Sequence, residues 1–153
     1  AQRDRFMARI SMGYPDRVAE LAMVRDRDAG NPMDAVRPVV SLDAVRELIA
    51  FALGVYVSEP VERYIVELGH ATRVHPDVRL GASPRATLQL VRASKARAAL
   101  DGRDFVLPDD VDALLLPVLA HRVVPTRSAA GRSGVAAVEE LLLGIRAAVP
   151  VPR

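Results

Sequence analysis

The sequence contains no cysteine, so it can form neither a disulfide nor a thiolate metal site, which suits a reducing, cytoplasmic setting. Aromatic residues make up only 4% of the 153, so any core must be built from Leu, Val, Ile and Ala, which favours packed helices. Long apolar runs are also lacking. The run Ala113–Leu116 followed by "PVLA" falls far short of the ~20 residues of a membrane span, so no membrane insertion is expected. No signal-peptide pattern is present. There is no block of one charge either: 21 basic residues are interleaved with 19 acidic ones for a net charge of +2, and no basic–aromatic alternation points to nucleic acid. Lys95 is the single lysine among those basic residues, so the arginine count carries little meaning by itself. Two catalytic signatures are absent as well. No G-x-x-x-x-G-K-[ST] loop cradles phosphate, and no G-x-S-x-G elbow presents a nucleophile.

What is present is mostly helical periodicity. Residues 1–14 read as a helix end followed by an extended piece, in which Phe6, Ala8, Ile10 and Met12 alternate with Met7, Arg9 and Ser11. One strand needs partners, so this stretch is expected to be the remnant of an α/β core, and a chain opening on Ala1 rather than Met reads as cut from something longer. Residues 15–40 read as a connecting helix and a linker broken by Gly30, Pro32 and Pro38. A helical domain is expected over 41–153. Ser41 can cap a helix whose Leu42, Val45, Leu48, Ile49 and Ala52 form one apolar stripe, closed at Gly54. Ser58 opens the next, with Val61, Ile65, Leu68 and Thr72 on one face and Tyr64 beside it. Ser83 starts a helix to about Leu100, closed by Asp101-Gly102. Pro108, Asp109 and Asp110 start another, with Val111, Leu114, Leu115, Val118 and Leu119 at core-facing spacing. The segment Val123–Val135 is linker-like, and Val138, Leu142, Ile145 and Val149 continue from Val135 as the seam of a last helix. The extended pieces "VYV" and "DFVL" are able to pair. The expected fold is therefore mainly α: a helical bundle with a short two-stranded β element, plus the remnant of the preceding α/β core.

Few residues invite chemistry. His70 and His75 are five apart and would point to different helix faces, and with Asp77 they lack a recognisable metal-ligand spacing. His121 follows an apolar helix. Arg85 is the unusual residue. It lies in the first turn of the Ser83 helix, where a cation costs ~0.3–1 kcal/mol against the helix dipole. A solvated arginine, or one paired with a nearby Asp, is the plain reading. The functional reading is anion recognition, since a helix N-terminus attracts phosphate and a guanidinium adds a planar fork for its oxygens. Gln89 and Arg92 extend a polar stripe from Arg85. Arg3, Arg5 and Arg9 form either a basic surface or a group able to reach a neighbouring subunit's phosphate.

Taken together, "AQRDRF", "ISMGYP", "NPMDAVRPVVSLDAV", "VYVSEPVERYIVELGHATRVHPDVRLGASPRA" and "LDGRDFVLPDDVDALLLPVLAHRVV" resemble the C-terminal, lid-bearing part of MoxR-type AAA+ ATPases over nearly the whole chain. The terminal "GVAAVEELLLGIRAAVPVP" also resembles the family's C-terminus. The resemblance implies that Arg85 is the sensor 2 arginine, contacting the ATP γ-phosphate. It implies that Arg5 is an arginine finger acting in trans on the neighbouring subunit's ATP. It implies that the Walker A, Walker B and sensor 1 motifs lie before Ala1, so that ATP and Mg2+ belong to the full-length protein and this chain alone is inactive, with no cofactor of its own. A ring of the hexameric kind, von Willebrand factor A-domain partners and client proteins remodelled at the expense of ATP are implied likewise. Two positions depart from the family pattern: Arg3 replaces the usual Leu, and Leu107 stands where Thr usually caps the "PDDV" helix. A free-standing, non-enzymatic helical interaction module is the alternative.

Overall fold

The structure, a computed structural model, describes residues 3–29, 31–130 and 134–152. After a 3-10 turn at Arg3–Arg5 come helices α1 (Arg17–Ala29), α2 (Leu42–Gly54), α3 (Glu59–Val74), α4 (Pro84–Leu100), α5 (Pro108–Leu119), α6 (Arg127–Ala130) and α7 (Gly134–Ala148). A two-stranded antiparallel sheet pairs β1 (Val78–Leu80) with β2 (Val124–Pro125). Ala1, Gln2, Gly30 and the centre of the linker-like segment lie outside the described residues, as does the Val135 side chain. The chain divides into two compact units: the residues through Arg9 with those from Ile49 onward, and Ile10–Leu48.

The larger unit holds the core, and its faces follow the apolar spacing. On α3, Val61, Tyr64, Ile65, Leu68 and Thr72 are buried; on α5, Val111, Leu115, Val118 and Leu119; on α7, Val138, Leu142 and Ile145. Leu90, Ala86 and Ala98 close the core from α4. The helix ends follow local chemistry. Ser83 Oγ accepts the Ala86 amide at 3.2 Å, and Gly102 takes φ +73° after Asp101, a conformation that a residue without Cβ adopts freely. Ser58 occupies the cap position of α3 but makes no side-chain capping bond.

Three expectations are corrected. Residues 8–14 form no strand; an isolated alternating segment has no ladder to join among the described residues, and its amides and carbonyls stay outside any sheet. The "VYV"/"DFVL" pairing is present only as one parallel bridge, Tyr56 with Phe105, held by Tyr56 N–H to Asp104 O at 2.8 Å and Val106 N–H to Tyr56 O at 2.9 Å. The sheet proper uses Val124–Pro125, from the segment that reads as a linker. Proline fits there because a two-stranded ribbon leaves one edge unpaired, where a missing N–H costs no ladder bond. Lastly, the α2 stripe is largely uncovered among the described residues: Leu42 and Leu48 are both 65% exposed, and only Ala52 is half-buried.

The turn leading into α4 is fixed onto the end of α3. Thr72 Oγ1 donates to Gly69 O at 2.7 Å and accepts Ala82 N–H at 2.8 Å. Between them, Gly81 lies so close that a Cβ would meet Thr72 O and Arg73 Cα at 2.7 Å each, both backbone atoms that cannot rotate away. Gly81→Ala is therefore expected to destabilise the chain by about 1–3 kcal/mol, the cost of overpacking. Equilibrium urea unfolding checks this, and an unchanged midpoint would show that the two segments can part without cost.

Candidate functional site

The start of α4 is well satisfied before any ligand is considered. Pro84 has no N–H, the Ala86 amide is bound to Ser83 Oγ, and the Thr87 amide donates to Ser83 O at 3.2 Å. Among the described residues this leaves Arg85 with the one unpartnered amide of the turn and with a side chain that is exposed and makes no hydrogen bond or ion pair. An anion already stands at this helix end. Both carboxylate oxygens of Asp4 lie 3.0 Å from Ser83 Oγ, where the dipole favours negative charge. Arg85 does not pair with it.

Asp4 is held in turn by Arg122, from the turn after α5. The Arg122 side chain is 1% exposed, and its Nε lies 3.3 Å from Asp4 Oδ1. Its guanidinium donates to Val118 O at 2.8 Å, to Asp4 O at 3.2 Å, and more closely to Phe6 O and to Gln89 Oε1. Burial pushes the Arg122 pKa below its usual range, Asp4 opposes that shift, and the nearby Arg85 adds to it. Arg5, between the two carbonyls that Arg122 grips, is exposed and has no ion pair among the described residues. The two sequence-predicted arginines thus sit on segments joined through Asp4 and Ser83, each with its guanidinium free among the described residues. Arg3 and Arg9 line an adjoining pocket of about 720 Å³ with Asp4, Ser83, His121 and Arg122. Arg9 is partly neutralised by Glu139 at 3.3 Å. Arg92 is exposed, whereas Gln89 turns inward to Arg122.

Sequence reasoning missed Arg122 and Asp4. Apart from Val118, four positions before Arg122, their partners lie 33 to 118 positions away, and nothing local marks either residue. The available signal is indirect: Gln89, four residues after Arg85, lies on a polar stripe with no partner in the local sequence. Of the histidines, His70 is exposed, and His75 Nδ1 accepts the Asp77 amide at 3.1 Å, shaping the loop before β1.

His121 packs against the same cluster. Its Nε2 lies 3.1 Å from Phe6 O and acts as donor, while Nδ1 is buried without a hydrogen-bond partner among the described residues. Burial holds its pKa below the ordinary histidine value, with Arg122 and Arg9 adding to the shift. A depressed histidine pKa means that the unfolded chain binds the proton first. Stability is then full above the unfolded value of ~6.5 and declines as pH falls towards the folded value. His121→Gln, which keeps an N–H donor, is expected to flatten the loss of melting temperature between neutral and mildly acidic pH. An unaltered slope would place that titration elsewhere.

The comparisons with known proteins bear on this arrangement. The AAA lid domain family profile matches residues 70–141, which include Arg85 and Arg122. The chain is 33% identical over 138 residues to the chaperone MoxR1 of Mycobacterium tuberculosis, covering 84% of this chain and 36% of that protein. It is 33% identical over 171 residues to the MoxR protein of Paracoccus denitrificans, covering 99% and 50%. The chain belongs to the MoxR family of AAA+ proteins. A Cytophaga hutchinsonii crystal structure, provisionally named an ATPase, superposes on this MoxR-type chain with a TM-score of 0.82 at 31% identity, covering 99% of this chain and 48% of that one. The fold agrees with the mainly helical, AAA lid-type bundle read from the sequence. The chain spans about half the length or less of the MoxR relatives it matches. Among the described residues no helix is long and apolar enough to cross a membrane.

Proposed function

We propose that this chain is the moving, nucleotide-sensing lid region of an ATP-hydrolysing MoxR-type protein, with Arg85 as its sensor 2 residue and Arg5 as an arginine finger. The observation that supports this most is the state of Arg85. A cation in a first helical turn opposes the dipole, and among the described residues no carboxylate pairs with it. A charge-assisted contact to phosphate is worth about 1.5–3 kcal/mol, enough to outweigh that cost when nucleotide is present.

ATP fits the donors available. The Arg85 guanidinium and its amide are both free among the described residues, and the planar fork matches phosphate oxygens. Mg2+ would come with the nucleotide, because it usually keeps several waters and is held by phosphates with one or two carboxylates. Arg5, equally free, would serve the ATP of an adjacent subunit in a ring. Movement of the lid on ATP binding and hydrolysis would then be passed to client proteins. The name of the Mycobacterium relative, a chaperone, supports remodelling of clients, and von Willebrand factor A-domain proteins are the partners we expect. The test is ATP turnover by the intact protein with Arg85 or Arg5 replaced by alanine. Near-wild-type turnover in both variants would overturn the site assignment.

A further inference from the structure

We propose that Arg122 is a positioning residue: a buried clasp that joins the Arg5-bearing turn to the first turns of α4, so that Arg5 and Arg85 move as one body. The inference rests on the nucleotide reading of those two arginines for its functional half; its structural half stands on contacts alone.

The geometry is specific. Arg122 donates to the carbonyls of Asp4 and Phe6, the residues on either side of Arg5. A backbone gripped at both flanks leaves only the Arg5 side chain free to turn. The same guanidinium donates to Gln89, one turn beyond Arg85 on α4. The Asp4 carboxylate completes the circuit by binding Ser83, the cap two residues before Arg85. Both arginines are thus bracketed by clasped residues while remaining exposed themselves. Arginine suits this task and lysine does not. A planar fork can serve a carboxylate, carbonyls from two segments and an amide oxygen at once, whereas an ammonium is a single point donor. The charge is buried, which costs stability, and the cost is offset by the Asp4 carboxylate beside Nε and by the four oxygens that the two terminal nitrogens serve, while Nε itself makes no hydrogen bond among the described residues.

The consequence is mechanical. A phosphate that draws in Arg85 pulls on Ser83 and Gln89, and through Arg122 on the turn that carries Arg5. Where the two arginines serve different nucleotides, occupancy of one site then biases the other, and by linkage the bias is reciprocal.

The experiment uses the full-length protein and compares wild type with Arg122→Gln, Arg122→Lys and Asp4→Asn. Asp4 is partly exposed, so its variant keeps the question open should either Arg122 variant fold poorly. Without nucleotide, amide hydrogen exchange is read over residues 4–9 and 83–89. In Arg122→Gln and Asp4→Asn, exchange is expected to rise about tenfold in both segments together, as for loss of a charge-assisted contact, with core amides of α3 and α5 unchanged. Arg122→Lys is expected to restore neither. With ATP, turnover is expected to depend sigmoidally on ATP concentration in the wild type and hyperbolically in Arg122→Gln. A rise confined to one segment, full protection in Arg122→Lys, or retained sigmoidal dependence in Arg122→Gln overturns the clasp. If the wild type hydrolyses no ATP, the nucleotide reading fails and the coupling with it, while the exchange data still decide whether the clasp exists.

Discussion

Replacing Arg5 by alanine in the intact protein is expected to lower ATP turnover by about 10³-fold or more, the scale on which an arginine supplied in trans accelerates phosphoryl transfer. Arg85→Ala is expected to cost about 10²–10³-fold, as for loss of one preorganised donor to a developing charge. Neither variant should unfold the chain. Both side chains are exposed and unpaired among the described residues, and substitutions at such positions usually stay within about 0.5 kcal/mol. The combination is what makes the result informative, since a large kinetic loss at constant melting temperature cannot come from misfolding. Mixing each variant with subunits that cannot bind ATP separates action within a subunit from action across the ring. If turnover by such mixtures follows the Arg5 content of the ATP-binding subunits themselves, the trans assignment of Arg5 fails.

The second large effect concerns stability. Asp110 is 2% exposed at the start of α5 and accepts from Arg103 through both oxygens, at 2.7 and 2.8 Å. It also accepts the Leu107 amide at 2.8 Å, and Arg97 Nε lies 3.5 Å away. The bond to Leu107 explains how α5 tolerates leucine at a cap position. The side chain of Leu107 cannot satisfy the helix, but Asp110 reaches back to the cap amide, which is one half of a capping box. Burial by itself would raise the Asp110 pKa, but the hydrogen bonds from Arg103 and Leu107 outweigh it and hold the carboxyl below its ordinary range. Asp110→Ala leaves Arg103 without its main partner and the Leu107 amide unpaired. Breaking such a pair from one side costs about 3–5 kcal/mol when both charges are buried; Arg103 is partly exposed, so the low end applies. For a chain of this size that is a fall of roughly 6–12 °C in melting temperature. Asp110→Asn, which keeps an acceptor for Leu107, should fall less. The sign with pH follows from the lowered pKa. The contribution of Asp110 is complete above the unfolded carboxylate value of ~3.9 and is lost as pH drops through the lower folded value. Asp110→Ala should therefore lose less stability on acidification than the wild type, and parallel curves would show that Asp110 carries no such linkage.

The helices of the larger unit were legible because each places its apolar residues at a period set by its own backbone. α3, α4, α5 and α7 need no knowledge of their partners to be recognised. The sheet was not legible for the opposite reason. β1 and β2 are three and two residues long, too short for an alternation to register, and they pair across more than forty positions. The stretch with the clearest alternation, around Phe6 to Met12, makes no strand at all. Alternation marks a willingness to pair, and the partner decides. The same division runs through the site. Arg85 stood out because its misfit with the helix dipole is local. Arg122 did not, because a buried arginine is defined by the carbonyls and carboxylate that surround it, and these arrive from Asp4, Phe6, Gln89 and Val118. The lid resemblance implies a role for Arg85 but says nothing of what holds it in place.

The single lysine has a practical consequence. Lys95 Nζ donates to the carbonyl of Leu53 at 2.9 Å, so the one side-chain amine of this chain joins α4 to the last turn of α2. An acylating reagent that seeks amines meets only that address among the side chains, and the amide it leaves has lost the charge with which Nζ serves Leu53. A single dye attached there marks the junction of α4 with the last turn of α2 and no other side chain of the chain.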